Sequence, residues 1–404
     1  MNRLTAWAVY TNIFMVMLGL GVVAPNLTDI RKTFGVSYAE ISWGVSAFAL
    51  ARLVMNLPAG YAAGRLPRLP LLICGTIAVA SGSLVAALSG SLPTFLLARA
   101  LSGLGSSICT TVGLTIVLDT AAPERRGRAS GVFHSAIGGG AFFGPGFGGL
   151  LAVLGGWRWA LMGAAAASVL SLLFLAAVVR GGRSAIAPKP EPAGATATSN
   201  ASILALLLAG FVAYVAAFAI FFARGAVQQT LIPLMGRESV GLSAGALSAL
   251  LMASAGFTSL VGPFAGSLSD RYGRARLLLP GLALLAGGIA LVTMTANVAI
   301  FIAGFAVISL AGTVNSIPSS VIVDSVSSSQ RSLAIGIYRV VGDAGLTAAP
   351  ILSGWLTDAH GFRAAGMFSA SIVAAALVVA LAATRQRSGS GRVYSPVAET
   401  PVAR

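Results

Sequence analysis

The chain has 404 residues, 56% of them hydrophobic and only 9% charged, with a mean hydropathy of +0.89. Soluble proteins carry about 25% charged residues, so this chain lacks the polar surface to face water all round. Lys and Arg outnumber Asp and Glu by 26 to 11, a net charge of +15 that raises nucleic acid as a partner. The placement of those charges along the chain sets that partner aside.

A helix needs about 20 apolar residues to cross the ~30 Å hydrocarbon core of a bilayer. Twelve such stretches run near 6–28, 41–64, 69–89, 93–118, 128–153, 158–180, 202–224, 242–266, 277–297, 298–323, 332–356 and 363–383. None alternates polar with apolar, and each exceeds the ~9–11 residues of a barrel strand, so helix is the state that fits. The first stretch has a short basic start but no small-residue cleavage site, which reads as a retained helix. With the amino terminus inside, the inner segments hold Arg65, Arg68, Arg125, Arg126, Arg128, Arg271, Arg274, Arg276 and Arg331, among others. The outer segments hold only Arg31, Lys32, Arg158, Arg237 and Arg363. By the positive-inside rule this accounts for the basicity and puts both termini in the cytoplasm of a cell (inner) membrane protein.

Residues 181–201 are rich in Pro, Ala, Ser and Thr, as a flexible linker is. They divide a six-helix half at 1–180 from a second at 202–384, and 385–404 reads as a tail. The halves are related in sequence. Gly60, Arg65 and Arg68 recur at Gly266, Arg271 and Arg274. Asp119, Arg126, Ala129, Gly131, Gly140, Pro145, Gly149 and Arg158 recur at Asp324, Arg331, Ala334, Gly336, Gly345, Pro350, Gly354 and Arg363. With an even number of spans per half, the repeat is parallel about an axis along the membrane normal. Such repeats place a binding site at their interface and rock around it.

The segment Gly266, Asp270, Arg271, Gly273, Arg274 resembles the loop signature of the major facilitator superfamily, G-x3-D-[RK]-x-G-[RK]. The first copy keeps Gly60, Arg65 and Arg68 but has Gly64 in place of the acid and Pro67 in place of the second glycine. The resemblance implies that this loop gates the inner side, its arginines pairing with acids on neighbouring helices; Arg68 with Asp119 is one such pair, and Asp324 stands at the matching position. Arg99, Gly103 and Gly105 match the family's R-x3-G-x-G, which implies a part for Arg99 in proton coupling. Gly140, Gly144, Pro145, Gly148 and Gly149 resemble its antiporter glycine-proline motif, although Phe133 replaces the upstream glycine. Small residues allow close helix approach and proline allows bending, so Gly144 and Pro145 fit either a gating hinge or ordinary packing.

Charged residues at membrane depth cost at least ~2.5–3.5 kcal/mol each and need a reason. The third, sixth, ninth and twelfth stretches carry none, as peripheral helices would. The exceptions are Arg52, Arg99, Arg224, Arg339 and Asp343. Arg339 and Asp343 are four apart and share a helix face, either as a fixed ion pair or as a site where Asp343 takes up a proton. Arg52 is the candidate anion ligand; Arg224 either helps it or snorkels to the outer surface. Asn12, Asn56 and Gln228 are polar enough to touch substrate. Cys74 and Cys109 lie within helices and have no metal-ligand spacing.

These readings lead to an all-α secondary transporter acting as a monomer on a small organic solute, with a proton gradient in place of any cofactor. Proton-coupled export of a drug or metabolite is the first expectation, proton-coupled uptake of an organic anion the alternative, and lipid flipping a remote one. Neither clustered nucleophile machinery nor a G-x4-G-K-[ST] nucleotide loop is present, which disfavours an enzyme or an ATP-driven pump.

Overall fold

The computed structural model describes residues 3–122, 125–181, 207–208, 210–326 and 330–389, and the described residues contain no strand. In chain order the helices are α1 (Arg3–Gly21), α2 (Val23–Phe34), α3 (Tyr38–Arg65), α4 (Arg68–Leu88), α5 (Leu92–Thr120), α6 (Arg126–Gly155) and α7 (Trp157–Gly181). There follow α8 (Phe211–Ala223), a π-helical segment (Arg224–Leu231), α9 (Ile232–Glu238), α10 (Ala244–Tyr272) and α11 (Arg274–Thr293). The chain continues through α12 (Val298–Ala311), α13 (Ile317–Ser325) and α14 (Arg331–Gly389). Among the described residues, eleven continuous helical stretches are long and apolar enough to span a membrane. The last is two spans, because Gly361 turns the backbone at φ +81, a conformation open to glycine alone at little cost.

The helices obey bilayer logic. A bilayer core offers no water to bond, so helix, which satisfies backbone groups within its own segment, is the state that crosses it. Buried hydroxyls do likewise, as Thr76 donates to the Leu72 carbonyl at 2.8 Å and Ser168 to that of Ala164 at 3.0 Å. Large apolar side chains stand exposed, among them Leu57, Leu97, Leu260 and Phe264, as a bilayer permits and water does not.

Two boundaries differ from the sequence reading in ways that matter. The first span runs past residue 28 into α2, which ends on Arg31 and Lys32 with Gly35 as a left-handed cap. Cations suit that helix end. The seventh span is Phe211–Glu238 rather than 202–224. The polar run Arg224–Leu231 reads as an exit from the membrane, but it continues the helix with a wider turn, within which the Thr230 hydroxyl donates to the Gly225 carbonyl. The proposed linker 181–201 lies outside the described residues apart from Gly181, and so do Pro123 and Glu124. Of the proposed tail, residues 385–389 still belong to α14, and the remainder lies outside.

In the first half α1 packs on α6 and α7, and α5 on α3 and α4; in the second, α14 packs on α8 and α11. The halves meet along two antiparallel pairs, α3 with α14 and α6 with α10, and where α2 touches α9. Down the α3–α14 seam, the Tyr38 and Ala39 amides meet Asp358, Ser46 donates to the Thr347 carbonyl, and Asn56 meets Asp343. Down the α6–α10 seam, Gly149 sits against Ser248, Gly146 against Met252, Gly256 against Phe142 and Gly138 against Ser259. Both seams run from the end holding Tyr38 and Ser248 to mid-helix. None of these contacts involves the ends that carry Arg65 and Arg271, so the halves splay towards that end.

Candidate substrate site between the two halves

Where the seams stop, charged side chains from both halves converge. Arg52 on α3 neighbours Asp343 and Arg339 on α14, while Arg224, at the start of the π-helical segment, neighbours Arg52, Asp343 and Tyr338. Arg52 and Arg224 both fall near the middle of 28-residue spans. Arg224 sits among these groups yet keeps an accessible side chain, and Arg339, beside Arg52, is exposed. Asp343 is buried, and its carboxylate accepts from Asn56 Nδ2 at 2.8 Å. Ser107 on α5 in turn donates to Asn56 Oδ1 at 2.7 Å. The Arg52 Nε–H is buried without a hydrogen-bond partner. A buried unpaired donor is costly, and one on a cation more so, which makes it a natural receptor for an incoming anion.

Several sequence expectations meet a different geometry. Arg339 and Asp343 share a helix face but form no ion pair within the 4 Å limit, Asn56 taking the carboxylate instead. Arg224 does not snorkel outward, because its span extends to Glu238 and centres it in the membrane. Asn12 is fully buried inside the first half, donating to Thr76 and Ser171 at 3.0 Å each, so it ties α1 to α4 and α7 instead of reaching substrate. Arg99 lies in the α3–α5 contact, its Nε donating to the Gly44 carbonyl at 3.2 Å and its guanidinium 4.7 Å from the Phe48 ring centre. Gly103 permits that approach, since a Cβ there would strike the Phe48 backbone, while Gly105 does the same for α5 against α4 at Gly75. Gln228 is half-buried about one turn beyond Arg224. His134 bonds only its own helix, at Ser130.

The loop-signature residues gather at the splayed end. Arg68 pairs with Asp119, and Arg274 Nε with Asp324 at 2.7 Å, each joining two helices of a single half. Asp270 is 3.7 Å from Arg274. Arg65 stacks on Tyr61 and Arg271 on Tyr272. Gly273 adopts φ +97 at the turn into α11, whereas a Cβ on Gly60 or Gly266 would meet open space. A cavity of about 590 Å³ adjoins Asp270, Arg274 and Asp324, away from the central cluster. Gly144 packs on Leu18 and Gly21, with Pro145 against Gly21, so α6 lies directly on α1.

The opposite end is closed by residues that sequence reasoning missed. Asp29 pairs with Arg237 at 3.2 Å and Arg31 with Glu238 at 2.9 Å, both across the halves. Tyr38 donates to Glu238 at 2.5 Å, and the Asp358 carboxylate accepts from the Tyr38 and Ala39 amides, capping α3 from the other half. Leu234 from α9 is fully buried in a first-half cluster with Leu27, Ile30 and Ile41. The repeat gave no signal for them, because Asp29 and Arg31 stand 208 and 207 residues before Arg237 and Glu238, outside the register that relates the halves.

Solved structures share this architecture. A bacterial homologue of the human lysosomal transporter Spinster, inward-facing and occupied, matches at TM-score 0.80 and 18% identity over 97% of this chain and 98% of that one. The human organic anion transporter MFSD10 matches at TM-score 0.65 and 17% identity over 94% and 99%. Among curated sequences, the uncharacterized MFS-type transporter YfiU of Bacillus subtilis is 31% identical over 48% of this chain and 38% of its own length. The quinolone resistance protein NorA of Staphylococcus aureus is 25% identical over 36% and 38%. The aligned part thus spans well under half the length of these relatives. A sequence model of the Major Facilitator Superfamily matches residues 9–258 and 214–402, and the chain belongs to that superfamily of membrane transporters.

Proposed function

We propose that this transporter carries a small organic anion by alternating access, binding it between Arg52, Arg224 and Arg339 and coupling its movement to protonation of Asp343. The observation that carries the reading is the central cluster: Arg52 and Arg224 lie beside one carboxylate, Arg339 lies beside Arg52, and the buried Arg52 Nε–H has no partner. A site with excess positive charge at membrane depth is costly unless an anion periodically neutralises it. Arg supplies paired donors that match carboxylate, sulfonate or phosphate geometry. The basic, splayed end faces the cytoplasm by the positive-inside rule, so this conformation opens inward. Export of the anion in exchange for protons is the favoured direction. It draws support from the likeness to NorA and to the multidrug resistance protein 2 of Bacillus subtilis, 28% identical over 36% of this chain.

The test is a thermal-shift screen of purified protein against organic carboxylates, sulfonates, phosphate esters, cations and neutral sugars. Stabilisation by anions alone is the expected result; stabilisation by cations alone would overturn the reading. Direction is tested in vesicles with an imposed proton gradient. Accumulation of the stabilising anion in inside-out vesicles supports export, and accumulation only in right-side-out vesicles overturns it.

A further inference from the structure

The amide of Asn56 is committed on both sides. Ser107 on α5 donates to its oxygen at 2.7 Å, and its nitrogen donates to Asp343 Oδ2 at 2.8 Å. The direction of this chain follows from donor and acceptor capacity. An ionised carboxylate can only accept, so the amide must turn its NH2 towards α14. Its oxygen then faces α5 and takes the Ser107 proton. Ser107 and Asn56 belong to the first half and Asp343 to the second, so the three residues bridge the halves at mid-membrane, at the inner limit of the α3–α14 seam.

We propose that Ser107 and Asn56 are positioning residues that strap α3 to α14 while Asp343 is ionised, and that the strap slackens when Asp343 takes up a proton. A charge-assisted hydrogen bond is roughly twice as strong as a neutral one, so protonation removes about half of the link. A neutral carboxyl is also a donor, which breaks the forced order of donors along the chain. The groups facing Asp343 are Arg52 from α3, Arg224 from the π-helical segment, and Tyr338 and Arg339 from α14 itself. Arginine keeps its charge and a tyrosine hydroxyl stays neutral in the working range, so the carboxyl is the member of the set that can switch. The strap holds while Asp343 is ionised and is lost when it takes up a proton. This inference rests on Asp343 as the proton site of the proposed function but not on the identity of the substrate.

The experiment therefore uses no substrate. Spin labels are placed on exposed positions of the two halves at the closed end, Lys32→Cys and Ala246→Cys, in a Cys74→Ser background that leaves only the fully buried Cys109. Inter-label distances are measured by pulsed dipolar spectroscopy in lipid nanodiscs at pH ~8 and ~5. The closed-to-open ratio of the parent is expected to fall about fivefold on acidification, the loss of roughly one hydrogen bond. Ser107→Ala and Asn56→Ala should show the low ratio at both pH values, and Ser107→Thr should restore the response. Asp343→Asn should abolish the pH response, separating the strap from Asp29, Glu238 and Asp358 at the closed end. Retention of the parental response in Ser107→Ala or in Asp343→Asn overturns the proposal. Should Asn56→Ala not fold, Ser107→Ala carries the same arm, since it removes one hydroxyl only. Absence of anion binding in the thermal-shift screen would sink the substrate reading and leave this one standing.

Discussion

Depth in the membrane decides what each buried arginine can do. Arg99 is spent on the Gly44 carbonyl and the Phe48 ring, whereas Arg52 keeps an unsatisfied Nε–H beside the gap between the halves. Arg52→Ala is therefore expected to weaken anion binding at least tenfold, the ~1.5–3 kcal/mol of a charged hydrogen bond, as read by titration calorimetry with the strongest anion from the screen. Affinity equal to the parent's would remove Arg52 from the site. Asn12→Ala is the contrasting case. It strips partners from Thr76 and Ser171 in a sealed interface, so the melting temperature should fall, by the ~0.6–1.7 kcal/mol typical of such membrane contacts, with affinity unchanged. Arg52 and Asp343 were legible in the sequence because charge in the middle of an apolar stretch is conspicuous. Ser107 was not, since serine satisfies itself within any membrane helix and only its neighbour Asn56 marks it out.

Among the helices, glycine means two different things that spacing cannot separate. A Cβ on Gly140 would press on the Phe14 carbonyl, and one on Gly345 would come within 2.8 Å of the Phe218 carbonyl. These repeat-related positions let α6 lie on α1 and α14 on α8 by the same device. Gly144→Leu should force α1 and α6 apart and cost about 1–3 kcal/mol or more, seen as a large loss of melting temperature in detergent. Gly60→Ala and Gly266→Ala meet open space, and the parent pays glycine's backbone entropy in a helix interior, so each should hold or raise stability by about 0.5–1 kcal/mol. Destabilisation by either alanine would show that the glycine is needed in another conformation. The sequence marked the twelve apolar stretches because length and hydropathy are local. It ended the seventh too early, where Arg224, Gln228 and Gln229 continue a helix that runs on to Glu238 and the hydropathy of the run no longer reports its depth.

For the molecule as a whole, the closed end is held by contacts between halves and the splayed end by contacts within them. Arg68 with Asp119 and Arg274 with Asp324 stiffen each half alone, so nothing among the ion pairs of the described residues resists separation there. At the closed end Glu238 serves both Arg31 and Tyr38, while Arg237 holds Asp29. These pairs are partly accessible, and each such pair contributes about 0.2–1 kcal/mol, small singly but enough together to bias a balance between two states. Removing them should shift the population towards opening at that end. The measurement is labelling of Gln228→Cys, in the Cys74→Ser background, by a membrane-impermeant thiol reagent applied from the closed side. Arg237→Ala should raise the labelling rate about two- to fivefold, and Glu238→Ala by more, because it releases two partners from the first half. Asp29→Ala combined with Arg237→Ala should add little to Arg237→Ala alone, as a single pair requires. Labelling that stays at the parental rate in all three would mean that the apolar contact of Leu234 with Leu27, Ile30 and Ile41 closes this end without help from charge. The broken symmetry between the repeats then has a mechanical meaning: residues that match across the halves, such as Asp119 and Asp324, brace each half, and residues that complement across them, such as Asp29 and Arg237, decide which end is open.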